Sequence, residues 1–302
     1  KYFSQGDLSL FKKEGIVYTK ITSGGFKARL MEAGHLFDDS SNAIFPLNVD
    51  LFYLLGYLNS KLVDYFLSFI NPTLNYQVGD LKKIPIIISN NEKEISELSK
   101  ENYELSSHLN SFDERNPNFK KPLLLEVQGN NLEERLENAR KYILEIKQKI
   151  IANTKKIDSL ILTDLCSEIL LNDNENFESI FEEYSDYDYL YDLLSFLIGA
   201  MLGHWEYNGN IKAKKDNILF LDNQLIDTIY EFIDEIFGED SADTVIEDEI
   251  PRILNSDLLQ WLIKTFFKEH ISKYKNRPIY WHICSPNKTF NALIYYHALT
   301  SD

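Results

Sequence analysis

Two groups of residues give this chain its capacity for polar recognition. Lys20, Ser23, Lys27 and Arg29 gather around a Ser23-Gly24-Gly25 turn, and Asn75, Tyr76, Gln77, Lys82 and Lys83 occupy one polar loop and the turn after it. The carboxamides of Asn and Gln donate and accept side by side, as an adenine edge requires. A guanidinium suits guanine, and ammonium groups suit phosphate. The same residue types also make a solvated hairpin face or hydrogen-bond within their own loop, and the sequence leaves both readings open. Catalytic chemistry finds no support. The six histidines form no HxxxH pair, Cys166 and Cys284 form no CxxC, and no Pro-Asp…Glu-x-Lys set is present to hold a divalent metal. Neither catalytic residues, a metal site nor a cofactor site is expected.

The surrounding pattern predicts how these groups are positioned. From Ile16 to Leu47, short extended runs alternate with turns, as in FKARLM, where Phe26, Ala28 and Leu30 oppose Lys27, Arg29 and Met31. A small antiparallel sheet follows, closed by a strand at Ile84–Ile88. Between them, Asp50 and Ser60 stand at helix N-cap positions before Leu51, Leu54, Leu55, Leu58 and then Leu62, Val63, Phe66, Leu67, Ile70. Asp80 is placed to cap a Leu-Lys-Lys turn.

The middle of the chain carries two heptad seams. Ile95, Leu98, Asn102, Leu105 and Leu109 step by three and four, as do Leu132, Leu136, Ala139, Ile143, Ile146, Ile150, Asn153, Ile157 and Leu160. The spacings mirror each other about residues 127 and 128, which predicts an antiparallel helical hairpin with Asn102 facing Asn153. Separate packing of each helix on its own core is the alternative. The connector 112–130 should be held by Phe119 and by Leu123 to Val127. Its Lys120-Lys121 pair is either exposed or against phosphate.

Beyond residue 172 an acidic, Tyr-rich segment leads into an apolar helix at Leu193–Leu202. Helices follow at Gln224–Phe237 and Leu254–His270, then a hairpin of Ile279–Cys284 and Thr289–Tyr296. Lys273, Lys275, Asn276 and Arg277 precede that hairpin as the one basic cluster of this half. The expected class is therefore α+β. A mixed α/β domain at 1–90 precedes a helical hairpin at 91–171, and a helix-rich domain with a terminal β-hairpin fills 172–302.

At 302 residues and 44% hydrophobic, the chain is long and apolar enough for substantial cores. The longest apolar run is about half of what a membrane span needs, no signal peptide opens the sequence, and cysteine is rare, so a cytoplasmic protein is expected. The net charge of −16 opposes nucleic-acid binding if taken globally. It is unevenly placed: residues 1–90 hold nine basic and eight acidic groups, the remainder 22 basic and 39 acidic. Screening over about 8 Å in physiological salt confines the acid to its own half.

Three motifs resemble one family. YLLGYLNSKLVDYFLSFINPTLNYQVGDLKKIPIII resembles the closing segment of the target-recognition domains of restriction-modification enzymes, and most closely that of PglX-like adenine-specific DNA methyltransferases of BREX phage-defence systems, where a stretch like LNPTLNFQVGD occurs. SFLIGAMLGHW at 195–205 is similar to that family's S-Y-A-V-G-C-M-F-G-R-Y, with His204 where arginine is more usual. KYKNRPIYWHICSPNKTFNALIYYH at 273–297 is similar to a third signature, in the same order.

The resemblance implies a parent enzyme that moves a methyl group from S-adenosylmethionine to adenine N6 in double-stranded DNA. The Gly-rich cofactor loop and the Asn/Asp-Pro-Pro-aromatic tetrad for a flipped adenine are absent. Asn71-Pro72-Thr73-Leu74 and Asn116-Pro117-Asn118-Phe119 imitate the tetrad without its second proline. The expectation is a carboxy-terminal specificity half whose methyltransferase domain lies upstream and whose family polypeptide continues beyond Asp302. On this reading Lys20, Ser23, Lys27, Arg29, Asn75, Tyr76, Gln77, Lys82 and Lys83 contact DNA. A type IIG restriction enzyme specificity region is one alternative. A non-catalytic scaffold binding other defence-system proteins is the other.

Overall fold

The computed structural model describes residues 10, 12–37, 40–165, 184–211, 217–287 and 289–299. The chain forms two compact units, Lys1–Ser107 with Ile146–Phe181, and His108–Glu145 with Glu182–Asp302. Both mix helices with a three-stranded antiparallel sheet, giving the α+β class. Among the described residues no helix is long and apolar enough to cross a membrane. Residues 166–183, with Cys166 and the first part of the acidic segment, lie outside the described residues, whereas its tyrosines, Tyr184 to Tyr191, are described.

In the first unit, β1 (Gly15–Thr19) is the central strand between β2 (Ala28–Met31) and β3 (Ser41–Ile44). Ile16 faces Leu30 and Ile44 across the sheet, and Val17 faces Arg29 and Ala43. Strand alternation therefore sends Ile16 and Tyr18 into the core, where they are 0% and 1% exposed, and leaves Arg29 outside. Helix α1 (Leu51–Leu58) begins as expected, with the Asp50 carboxylate accepting from the Tyr53 amide at 2.8 Å. Helix α2 (Lys61–Ile70) has a different cap. The Ser60 hydroxyl turns back to the Tyr57 carbonyl at 2.7 Å, and Asp158 accepts from the Lys61 amide at 2.9 Å instead.

The closing strand expected at Ile84–Ile88 does not form. Pro85 has no amide proton to give a ladder. The Pro85 and Ile87 carbonyls are each taken at 2.6 Å by a tyrosine hydroxyl from α1, Tyr57 and Tyr53 respectively, and the Ser89 amide donates back to the Tyr53 oxygen at 3.0 Å. Burial pushes the Tyr57 hydroxyl up to about 12, so it remains a donor at any working pH. Phenols thus replace a neighbouring strand.

Helices α4 (Glu92–Asn110) and α5 (Leu132–Leu165) occupy the predicted seams. In the first unit they run antiparallel, with Lys149 against Glu101 at 2.5 Å and Lys156 against Glu94. Ile95, Ile157 and Ile161 join its core. The asparagines do not pair with each other. Asn102 donates to Thr154 at 3.2 Å and Asn153 donates to Glu101 at 2.8 Å. A carboxylate is the stronger acceptor, and Glu101 is within reach of the Asn153 amide. Lys149 and Asn153 together hold the Glu101 carboxyl below its usual range.

The second unit is built on α6 (Asp186–Met201), whose residues from Tyr189 onward are all buried. Packing is tight at Gly199, where an added Cβ would lie 2.3 Å from Trp205 and 2.6 Å from the Tyr280 hydroxyl. As expected, Phe119, Leu123, Leu124 and Val127 of the connector are buried. Strand β4 (Ile218–Phe220) and helix α7 (Asn223–Phe237) precede the short α8 (Ala242–Thr244) and α9 (Ile250–Leu254). The helix expected from Leu254 starts later. Asn255 takes a left-handed φ of 51°, and Asp257 then caps α10 (Leu258–Trp261), which continues through a π turn into α11 (Phe267–Lys273). The hairpin of β5 (Tyr280–Cys284) and β6 (Asn291–Tyr295) is present, and β4 adds a third strand to β6 that the sequence pattern did not announce.

Two buried polar groups organise this unit. The Arg135 guanidinium, 6% exposed, donates to the carbonyls of Leu124 at 2.8 Å, Gly129 at 3.1 Å and Ile236, and lies over the Phe237 ring. Removing it strands three buried acceptors. Arg135→Met is expected to cost about 3–5 kcal/mol in urea unfolding, from roughly 1–3 kcal/mol per orphaned group. His270 is fully buried, and its Nε2 accepts from the amides of Ile279 at 3.0 Å and Tyr280 at 3.2 Å. Only the neutral ring can accept both. Burial, with the nearby Lys273 charge, drops His270 to about 3. The unfolded chain therefore binds this proton first. Stability from His270 is complete above about 6.5 and is lost as pH falls toward 3, by up to about 1.4 kcal/mol per pH unit. Thermal melts across that window should show a steeper acid loss for the native chain than for His270→Gln.

Candidate nucleic-acid interface

The backbone decides where the recognition residues lie. After β1 the chain does not turn straight into β2. Lys20–Thr22 instead pair with residues 74–76: the Tyr76 amide donates to the Lys20 carbonyl at 2.7 Å, the Thr22 amide donates to the Leu74 carbonyl at 3.1 Å, and Ile21 stands opposite Asn75. The hairpin turn and the polar loop, about 50 residues apart, thereby become one double loop. Its anchor is aromatic. Tyr76, 8% exposed, meets Phe26 edge-on at 5.5 Å, and Phe26 packs on Tyr18 at 5.4 Å. Tyr76 therefore belongs to the core, and its ring does not face solvent for base stacking.

The polar loop is shaped by its own side chains. Asn71 donates to the Asn75 carbonyl at 2.7 Å and to Asp80 at 2.8 Å, and its carboxamide oxygen accepts from the amide and hydroxyl of Thr73 at 3.0 and 2.5 Å. The same Asp80 oxygen accepts from the Gln77 amide at 3.2 Å, so Asp80 sits inside helix α3 (Val78–Leu81) rather than before it. Asn59 does comparable work on the other loop. Its carboxamide takes the Ala28 amide at 2.9 Å and gives to the Ala28 carbonyl at 3.0 Å, fixing the start of β2 to the end of α1. Sequence reading overlooked Asn59 and Asn71 as organisers. The signals were there: an Asn at a helix C-cap, and an Asn-Pro turn with Thr two residues on.

Of the candidate DNA-binding residues, Ser23, Lys27, Arg29, Gln77, Lys82 and Lys83 are exposed, while Lys20 and Asn75 are half-buried. The bridge sets Lys20–Thr22 beside Leu74–Tyr76, with Ser23 and Gln77 following at its two opposite ends, and α3 leads directly to Lys82 and Lys83. Lys27 lies 3.9 Å from Asp64, and Lys83 lies 3.7 Å from Asp80. Such exposed pairs are weak, about 0–1 kcal/mol, and exchange readily for phosphate. Arg29 stands on β2, on the outer face of the sheet, and reaches the Thr19 hydroxyl at 3.3 Å.

The two motifs of the second unit have a structural explanation. Gly199 admits Trp205 and Tyr280 to the same point, and His204 bonds the Tyr295 hydroxyl at 2.9 Å, so SFLIGAMLGHW and the terminal hairpin pack as one aromatic core. Lys273, part of the basic cluster before the hairpin, is instead largely enclosed, its side chain 14% exposed. It joins Asp192 and Glu114, the latter at 3.2 Å, and lies 4.9 Å above the Tyr191 ring. Both carboxylates hold its charge, so Lys273 is not available to an external anion. Lys275, Asn276 and Arg277 remain exposed beside it. In the connector, Lys121 is paired with Glu126 at 2.7 Å.

Neither antiparallel sheet offers a glycine-rich turn from strand into helix among the described residues, so these residues do not fit S-adenosylmethionine.

Comparison with known proteins agrees with the architecture. Residues 1–86 match the TaqI-like C-terminal specificity domain. Over 95% of its length the chain is 27% identical to the adenine-specific methyltransferase BrxX of Escherichia coli O9:H4 (strain HS), covering 29% of that protein. Over 94% of its length it is 26% identical to the adenine-specific methyltransferase PglX of Lacticaseibacillus casei (strain Zhang), covering 27%. The chain spans less than a third of the length of these relatives. Its first 86 residues are thus similar to a TaqI-like specificity domain, and most of its length is similar to the BrxX and PglX adenine-specific methyltransferases.

Proposed function

We propose that this chain selects the DNA site for an adenine-specific N6 methyltransferase of a phage-defence system, acting in the cytoplasm. The double loop of the first unit reads double-stranded DNA, residues 91–171 act as spacer, and residues 172–302 serve as a helical C-terminal domain. S-adenosylmethionine and the transfer step belong to a methyltransferase domain outside this chain. One observation carries the reading: backbone pairing of Lys20–Thr22 with Leu74–Tyr76 sets two separately coded polar segments side by side. The near-neutral charge of residues 1–90, against the acid of the remainder, permits their approach to phosphate.

In this role Lys20, Lys27, Lys82 and Lys83 hold backbone phosphates, Arg29 serves phosphate or guanine, and Ser23, Asn75 and Gln77 face base edges. Tyr76 contributes only as the anchor beneath them. Simultaneous reversal of Lys27, Arg29, Lys82 and Lys83 to Glu in the full-length protein should lower DNA affinity at least tenfold. For every phosphate no longer neutralised, the salt dependence should flatten by roughly 0.9 in log–log slope. An unchanged map of modified adenines in cells would overturn the reading and favour a protein-binding scaffold. Asn71→Ala removes the loop's internal frame without touching an exposed candidate residue. It should weaken site-specific methylation about tenfold while leaving the melting of the second unit unchanged.

A further inference from the structure

The Ile21–Asn75 pair has a geometry that the individual side chains do not announce. The flanking bonds, Thr22 amide to Leu74 carbonyl at 3.1 Å and Tyr76 amide to Lys20 carbonyl at 2.7 Å, make Ile21 and Asn75 a non-hydrogen-bonded antiparallel pair. In such a pair the two side chains project from the same face at the closest cross-strand spacing. The neighbouring Tyr76 points to the opposite face and is buried, and the face that Ile21 and Asn75 share carries the exposed Ile21 side chain.

Ile21 is 68% exposed, among the most exposed large apolar side chains of the described residues, and follows Lys20 directly. The Asn75 carboxamide oxygen is buried in this conformation and has no hydrogen-bond partner there. Its side chain therefore loses no hydrogen bond at that oxygen if it turns outward, while its backbone stays fixed by Asn71 at 2.7 Å and Thr73 at 3.3 Å.

A carboxamide and an aliphatic group side by side match one base pair in the major groove. Adenine presents N7 as an acceptor and the N6 amine as a donor, and its thymine partner presents a 5-methyl group a few ångströms away. We propose that Ile21 and Asn75 together read one A·T pair of the target, Asn75 through the adenine edge and Ile21 through the thymine methyl. This rests on the DNA-reading role above and assigns Ile21, a residue without polar chemistry, to specificity.

The test uses the full-length protein and a duplex carrying its methylation site, as found by adenine mapping. Each thymine of the site is replaced in turn by uracil, which pairs identically and lacks the methyl. At one position the native protein should bind about fourfold more weakly, the equivalent of ~0.8 kcal/mol for one methyl left in water. Ile21→Ala should lose the same factor on the thymine duplex and nothing further on the uracil duplex. Asn75→Ala should lose roughly five- to a hundredfold in discrimination at that same pair. Thermal melting of both variants checks folding. Equal sensitivity of native protein and Ile21→Ala to every uracil substitution overturns the proposal while leaving DNA reading intact. Absence of any sequence-preferring binding by the native protein overturns both.

Discussion

Two backbone hydrogen bonds, between Lys20 and Tyr76 and between Thr22 and Leu74, are the constraint on which the proposed recognition surface depends. Without them the hairpin turn and the polar loop are independent excursions, each with its own conformational freedom to lose on meeting a ligand. With them, the loops share one frame. That frame is anchored on its inner side by the Tyr18, Phe26 and Tyr76 rings. Ordering is completed during folding, so less of it remains to be done on binding.

The same division of labour recurs through the first unit. Side chains that set geometry are turned inward or sideways onto backbone groups: Asn59 on Ala28, Asn71 on Asn75, Tyr53 and Tyr57 on the carbonyls of Ile87 and Pro85. Side chains that meet solvent carry the variable chemistry. The second unit uses buried charge instead. Arg135 ties the connector to the end of α7 through three carbonyls, and Lys273 is shared by Asp192 and Glu114. Burying these groups is tolerable because each has several partners, and it leaves them unavailable for recognition.

Much of this was legible in the residues. Helices α1, α2, α4, α5 and α7, the hairpin strands and the antiparallel register of the seams follow from apolar spacing and caps, because those signals are local. What escaped the sequence depended on partners far along the chain. The Ile84–Ile88 run has strand composition, yet its carbonyls meet phenols from α1. Asn102 and Asn153 occupy mirrored positions, yet a nearby carboxylate outcompetes the amide. Tyr76 looks like a stacking residue between two polar neighbours until Phe26 is found beneath it. Lys273 reads as part of a basic cluster until two distant acids are placed around it. In the candidate interface, the charged and amide residues were recognisable by type. The bridge that unites them was not, since it is made of main-chain atoms and has no residue signature.

Holding the double loop through main-chain pairing and through Asn59, Asn71 and Asp80 has an evolutionary consequence. The exposed positions 21, 23, 82 and 83 can be exchanged without dismantling the scaffold that presents them, because the backbone bridge and the Asn59, Asn71 and Asp80 bonds do not pass through their side chains. A new sequence preference is then reachable by a few surface substitutions, each close to neutral for folding. In the DNA-reading role proposed above, that separation would make specificity revisable on a constant framework.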